Sequence, residues 1–338
     1  HFFRNFITEG QTQGHDILVS VMEKDITLEL LDLYDIDYDV ACEPANGTDP
    51  LNIRTQIRLT RGLYSQTKQF NPDIITSIGG TSAAHVSKFT QSKSIVWYDT
   101  EHATLQNTIT YPFADIICTP SCYDSKIKGN HLTYPSYHEL AYLHPNQFSP
   151  DESVLKEAGL GPNDRFVILR LVSWEAAHDF GNGGFDSVID VVKTIESAGV
   201  EVIITSETDL PQQIEDYQVS VDPHRIHDLM AFADLFIGES GTMAAESAVL
   251  GTPSIFVSTL RLGYLSELEK NYGLVFNYSG EQRHQHALEK AINILEENDQ
   301  AEWRSRRESM LDEKSDATQI MSNLVFNPHK MNEVVNHS

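Results

Sequence analysis

Residues 233–257 read ADLFIGESGTMAAESAVLGTPSIFV, and the reading of this stretch decides the fold. A short run without polar alternation, ADLFIG (233–238), stops at Gly238. Glu239-Ser240-Gly241-Thr242 then turn the chain into a helix, with Ser240 a favourable N-cap and Gly241 permitting close approach to the backbone. Ala244, Ala245 and Ala248 keep that helix thin enough to lie tight on a sheet. Gly251 ends it, and Pro253 prevents its continuation into the next strand, PSIFVS (253–258). Strand, tight turn, helix and strand, with the strands apolar on both faces, is the unit of a parallel sheet covered by helices.

The same alternation extends in both directions. Strands are expected at 165–171 and 200–205, with a helix over 185–198 closed by Gly199, and a charged helical tail from 282 to about 323. In the first half the strands are 17–21, 38–41, 73–78, 94–98 and 115–119, with helices over about 24–34, 52–70 and 81–91. Pro135, Pro145 and Pro150 disfavour a continuous helix between Tyr134 and Pro150, which reads as a linker. The economical architecture is α/β, two doubly wound Rossmann-like domains facing a cleft: residues 1–145, residues 151–325, and a tail of 326–338. HFFRNFI at the start reads as a helix leading into a strand, so the first strand of that βαβ unit is expected to lie before His1.

A chain of 338 residues suits about two domains of roughly 100–200 residues each. With 49 Asp and Glu against 24 Lys and Arg, its formal charge is -25. Such a surface repels phosphate backbones and anionic lipid, which argues against a nucleic-acid partner. No apolar run approaches the roughly 20 residues of a membrane span, and no signal-peptide pattern is present. These features point to a soluble, cytoplasmic protein adapted to high internal salt, where a Debye length near 3 Å at about 1 M makes self-repulsion tolerable. Cys42, Cys118 and Cys122 are too few and too oddly numbered for a disulfide framework, and Cys118 with Cys122 lacks a second pair for zinc.

The chemistry expected of the quoted stretch is anion binding. A helix N-terminus offers unpaired N–H groups and a partial positive charge, so it holds phosphate without lysines, and none lies between Lys193 and Lys270. Glu246, further into the helix, is placed to accept the two hydroxyls of a ribose; the alternative is an ordinary tight turn with Glu246 in solvent. At the end of strand 94–98, Asp99, Glu101 and His102 form a loop that either takes a proton from a sugar hydroxyl or caps itself. Gly79-Gly80-Thr81 open another helix, either as a sugar contact or through close backbone packing. His178 in a glycine-rich loop is suited to proton transfer near neutral pH. Arg170 inside VILRL requires a partner, either a ligand or a structural carboxylate. His138 and Glu139 are read as linker residues lining the cleft.

GESGTMAAESAVLGTPSI resembles the nucleotide-sugar motif of the glycosyltransferase B (GT-B) superfamily, which includes the non-hydrolysing UDP-N-acetylglucosamine 2-epimerases. The resemblance implies that Ser240, Gly241 and Thr242 hold a diphosphate and Glu246 the ribose. DIITSIGGTSAAHVSKFTQSKSIVWYDTEHATLQN (73–107) looks like the epimerase segment that ends in a catalytic glutamate, which puts Glu101 at that position. ILRLVSWEAAHDFGNGGFDSVIDVV (168–192) resembles the epimerases' catalytic His loop, although Trp174-Glu175-Ala176-Ala177-His178-Asp179 stands where they carry basic residues. The whole chain, with HFFRNFI and YHELAYLHP, looks closest to an archaeal family, the domain of unknown function 354. That family carries a histidine- and proline-containing loop just upstream of its HFF segment. The implied function is a glycosyltransferase-like enzyme binding a nucleotide-diphospho-sugar, UDP-linked, between its domains, with an acceptor as second substrate and no cofactor or metal. The alternatives are a 2-epimerase using Glu101 and His178, or a binding protein without chemistry, and a homodimer is compatible with each.

Overall fold

The alternation resolves into two units, one formed by His1–Tyr142 with Ser315–Ser338 and the other by Leu143–Lys314. The structure, a computed structural model, describes residues 1–44, 53–101, 104–171, 188–206, 210, 212–218 and 221–327.

The first unit carries two parallel sheets. One pairs β1 (Ser20–Met22) with β2 (Asp39–Cys42). The other has the order β3-β4-β5-β6, formed by Ile74–Ile78, Lys93–Trp97, Ile116–Pro120 and His131–Tyr134. Helices α1 (Arg4–Thr12), α2 (Asp25–Leu33), α3 (Ile53–Phe70), α4 (Thr81–Ser87) and α5 (Thr104–Thr110) intervene in chain order, and the short α6 (Leu140–Leu143) follows β6. Among the described strands β1 pairs only with β2 and β3 only with β4, so each has one unpaired edge. Gly62 brings α3 against β2, because a Cβ at that position would run into the Ala41 carbonyl.

Polar side chains tie this sheet at its amino end. Asp115, just before β5, accepts from Lys88 Nζ at 2.7 Å, and from the Ser94 backbone N–H and hydroxyl at 2.8 and 2.9 Å. Burial alone raises the Asp115 carboxyl, but the bonds from Lys88 and Ser94 outweigh it and hold the group below the usual carboxylate range. A depressed folded value means the unfolded chain takes up the proton first. The stabilisation is therefore present above about pH 4 and is lost as pH falls through the folded value. Asp115→Asn is expected to flatten the acid limb of the stability–pH curve in denaturant titrations; identical limbs would refute this role.

The second unit is a parallel sheet of order β11-β10-β9-β7-β8. Its strands are β7 (Phe166–Leu171), β8 (Glu201–Ser206), β9 (Leu235–Gly238), β10 (Ser254–Val257) and β11 (Val275–Tyr278). Helices α7 (Ser153–Glu157), α8 (Val188–Glu196), α9 (Ile226–Phe232), α10 (Gly241–Leu250), α11 (Gly263–Glu267), α12 (Arg283–Glu297) and α13 (Gln300–Glu313) belong to it. Phe166, Ile168, Phe236, Ile255 and Phe256 fill its core, as the unalternating runs require. Asp234 ties the amino ends together: it accepts from Arg165 Nε at 3.1 Å, the Phe166 N–H at 3.1 Å and Gln300 Nε2 at 3.2 Å.

Three sequence expectations change. The second unit ends at Lys314, because α14 (Ala317–Val325) returns to the first. There Phe326 stacks on Phe6 at 4.8 Å, Ser322 donates to Glu9 and Thr318 to the Ala141 carbonyl. The segment read as a linker is core at its amino end: Tyr137, Leu140, Ala141 and Leu143 are fully buried, since Pro135 and Pro145 bracket the compact apolar run without breaking it. Strands β6 and β11 were not expected, being four-residue edge strands, HLTY and VFNY, with one polar residue or more in each. Among the described residues no helix is long and apolar enough to cross a membrane.

Candidate functional site

Each unit gathers candidate side chains at the carboxyl ends of its strands, where doubly wound sheets build their sites. In the second unit, β9 ends at Gly238 and α10 begins at Gly241. Ser240 is the N-cap, its hydroxyl accepting from the Met243 N–H at 3.4 Å. Gly251 closes the helix in the left-handed region, at φ 94°, which favours glycine. Thr242 is exposed, and Ser240 and Gly241 are half-buried. The space a Cβ would occupy on Gly241 is taken by Leu262 Cδ1 and the Tyr264 hydroxyl, so the protein packs against the Cα side of this glycine.

Arg170 on β7 pairs in register with Gly238 on β9, and Glu239 N–H donates to its carbonyl at 3.4 Å. A Cβ on Gly238 would meet the Arg170 Cβ at 2.6 Å. This glycine therefore lets an arginine backbone lie against the turn that precedes α10.

Glu246 lies in α10 and is only 5 % exposed, so it does not project into solvent. Its Oε1 is 2.9 Å from His227 Nε2, on α9. His227 is itself 3 % exposed, with Phe148 edge-on to its ring at 6.4 Å. A buried carboxylate needs such a partner to remain in place. The sequence reading missed His227, although a histidine in the otherwise apolar face of IHDLM is the signal that would have found it.

In the first unit, Asp99 and Glu101 follow β4. Asp99 Oδ2 lies 3.1 Å from His138 Nδ1, and Asp99 Oδ1 accepts from the Thr100 hydroxyl at 2.8 Å. Burial by itself raises the Asp99 carboxyl; His138, by charge and by hydrogen bond, and Thr100 outweigh it and hold the group below its ordinary value. His138 is 6 % exposed, between β6 and α6. Glu101 Oε1 accepts from the Asp124 N–H at 3.4 Å.

Three buried atoms of this region have no hydrogen-bond partner among the described residues: His138 Nε2, Glu101 Oε2 and the Tyr134 hydroxyl. Each such group costs about 1–3 kcal/mol unless a ligand or water answers it. Sequence reasoning named His138 but put it in a linker. The apolar density of YHELAYL signals burial, and a buried histidine needs a partner.

Gly79, Gly80 and Thr81 make contacts within the first unit. Gly79 has φ 61° and its carbonyl accepts from the Tyr98 hydroxyl at 2.9 Å. A Cβ on Gly80 would collide with Ser77 Oγ and Val96, and the Thr81 hydroxyl bonds Thr110 at 2.7 Å. His85, one turn along, is held by the Ile109 carbonyl at 2.8 Å. His102 and His178 lie outside the described residues. Among the described residues no three His, Cys, Asp or Glu side chains gather as a metal site.

Comparison with known proteins adds a family and a fold. The family model described as "Protein of unknown function (DUF354)" matches residues 1–330. An uncharacterized protein of Methanocaldococcus jannaschii is 21 % identical over 267 residues, covering 75 % of this chain and 77 % of that one. Among solved structures, a putative UDP-N-acetylglucosamine 2-epimerase from Listeria monocytogenes is 14 % identical with a TM-score of 0.68, covering 95 % of this chain and 91 % of its own. A glycosyltransferase from Streptomyces, 11 % identical, has a TM-score of 0.58 and covers 95 % of each chain. Both likenesses are of fold: two Rossmann-like domains of the kind found in GT-B proteins.

Proposed function

The chain belongs to the DUF354 family, and from that premise we propose a glycosyltransferase-like enzyme of GT-B type that binds a nucleotide-diphospho-sugar, with UDP as the nucleotide. The observation that carries this reading is Glu246, a carboxylate buried behind the N-terminus of α10 and fixed by His227. A carboxylate held there suits the hydroxyls of a ribose, and the helix N-terminus that Ser240 caps suits a diphosphate. The diphosphate is assigned to the N–H groups of Gly241 and Thr242 with the Ser240 cap, Arg170 supplies positive charge, and the Glu246 carboxylate takes the ribose. The helix-terminal amides stabilise the departing diphosphate, and this arrangement requires no metal. Acceptor chemistry is assigned to the first unit, around Asp99, Glu101 and His102, with His178 in the second unit as a further proton-transfer group.

A second reading, a nucleotide-sugar 2-epimerase, is favoured by Glu101. Its Oε2 is buried without a partner among the described residues, at the position where the resemblance expects the epimerases' catalytic glutamate. Calorimetry with UDP and UDP-N-acetylglucosamine, followed by product analysis, separates the readings. Sugar transfer only with an added acceptor is the expected result, and an epimer without acceptor supports the second reading. Tight binding without turnover indicates a binding protein. Absence of affinity for either compound at high salt would overturn the proposal.

A further inference from the structure

The carboxyl ends of β4 and β6 in the first unit bring together an imidazole, a carboxylate and a phenol with hydrogen-bonding capacity left over. His138 Nε2, Glu101 Oε2 and the Tyr134 hydroxyl are buried without partners among the described residues. Burial, then the charges of Cys118, Asp99 and Glu139, push the Tyr134 phenol well above its ordinary value, so its hydroxyl keeps its proton and remains a donor.

Asp99 is already committed. One oxygen faces His138 Nδ1 at 3.1 Å and the other accepts from Thr100 at 2.8 Å. A carboxylate at Nδ1 selects the tautomer with its proton on that nitrogen, leaving the lone pair on Nε2. The ring is also fixed in orientation, with Phe2 at 4.4 Å and Tyr134 parallel to it at 6.5 Å, between centroids. We infer that His138, oriented by Asp99, is the proton acceptor of the first unit and acts on a hydroxyl of a neutral, sugar-like substrate. This deepens the nucleotide-sugar reading above and rests on it for the electrophile. The class of substrate follows from the groups present: two carboxylates, an imidazole and a phenol disfavour an anion and suit a polyol.

The step balances. The substrate O–H bond breaks, its proton passes to Nε2, and the oxygen's electron pair forms the new bond to the anomeric carbon. The bond from that carbon to the diphosphate oxygen breaks, and the diphosphate leaves with the electron pair. The imidazolium that results lies against the Asp99 carboxylate, which stabilises it. Asp99 is thus a positioning residue, and the Tyr134 hydroxyl donates to the substrate oxygen or to a water beside it.

The test has two independent arms, both on the full chain. Long-range nitrogen–proton NMR of the imidazoles reads the tautomer directly. His138 is expected to carry its proton on Nδ1, and Asp99→Asn to abolish that preference while the protein remains folded. A proton found on Nε2 overturns the inference whether or not any nucleotide binds. In the second arm, UDP release from UDP-N-acetylglucosamine is measured with a panel of hexose acceptors. His138→Gln is expected to lower it by about 10²–10⁴-fold, the range of general-base catalysis, with UDP affinity unchanged within twofold. Turnover retained within threefold overturns the inference and leaves the nucleotide-sugar reading standing. No UDP affinity in the unaltered protein overturns that reading and the transfer step with it, and the NMR result then decides the dyad alone.

Discussion

Replacement of Glu246 by glutamine is expected to weaken UDP binding about tenfold, with little effect on unfolding. The amide preserves the shape and the oxygen that faces His227 Nε2 at 2.9 Å. It exchanges charge-assisted bonds to the ribose for neutral ones, which are roughly half as strong, and a tenfold change corresponds to about 1.4 kcal/mol. Glu246→Ala is expected to do more. It removes the ribose contact entirely, about 1.5–3 kcal/mol for bonds to a charged group, and so weakens binding by roughly 10- to 100-fold. It also removes the bond between Glu246 and His227, which is 3 % exposed, and the loss of a hydrogen bond to a charged group costs about 1.5–3 kcal/mol of stability. Isothermal calorimetry beside thermal unfolding separates the two effects. Equal UDP affinities in the parent and both variants would remove Glu246 from the site.

Asp234→Ala is expected to produce the larger loss of stability, about 3–4 kcal/mol. One carboxylate, at the amino end of β9, accepts from Arg165, the Phe166 N–H and Gln300. Its side chain is 10 % exposed against 31 % for Arg165, so the arginine partly recovers water when the partner is lost. That relief puts the cost at the lower end of the range for breaking a buried pair. The Phe166 N–H has no such recourse, because Phe166 is fully buried. For a unit of this size the unfolding midpoint should fall by about 6–16 °C. Asp234→Asn, which retains one acceptor oxygen, should fall by less. A midpoint unchanged by the alanine would show that the three bonds contribute nothing net.

The sequence made the repeating unit legible wherever local chemistry and tertiary packing agree. ADLFIG and SIFV are strands because they are buried on both faces, and Ser240 and Gly251 cap α10 as their conformational preferences dictate. It was misleading where long-range contact decides. Nothing local in ATQIMSNLV says that this helix leaves the second unit and packs beside Phe6 and Glu9. Proline spacing made Tyr134 to Pro150 look like a linker, while Tyr137 and Leu140 are fully buried. The candidate site was legible one residue at a time. Asp99 and Glu246 could be named from their positions after strand and turn, but the histidines that face them come from elsewhere in the chain. His138 is 39 positions beyond Asp99, and His227 is 19 before Glu246. Pairings of that kind are set by packing, to which periodicity and spacing are blind.

Among the described residues, β1 and β3 each have one edge that pairs with no strand, and any such edge left open bears on how the protein behaves in crowded solution. A bare strand edge is a row of amide donors and carbonyl acceptors that can recruit a strand from another molecule. Two copies that approach by such edges must first overcome a mutual repulsion set by a charge of -25 on each. Dilute buffer therefore guards the edges by electrostatic distance, and concentrated salt removes that guard while strengthening apolar contact. Colloidal stability and conformational stability thus respond to salt in opposite directions: the brine that relaxes self-repulsion within one molecule also lets neighbouring molecules meet edge to edge.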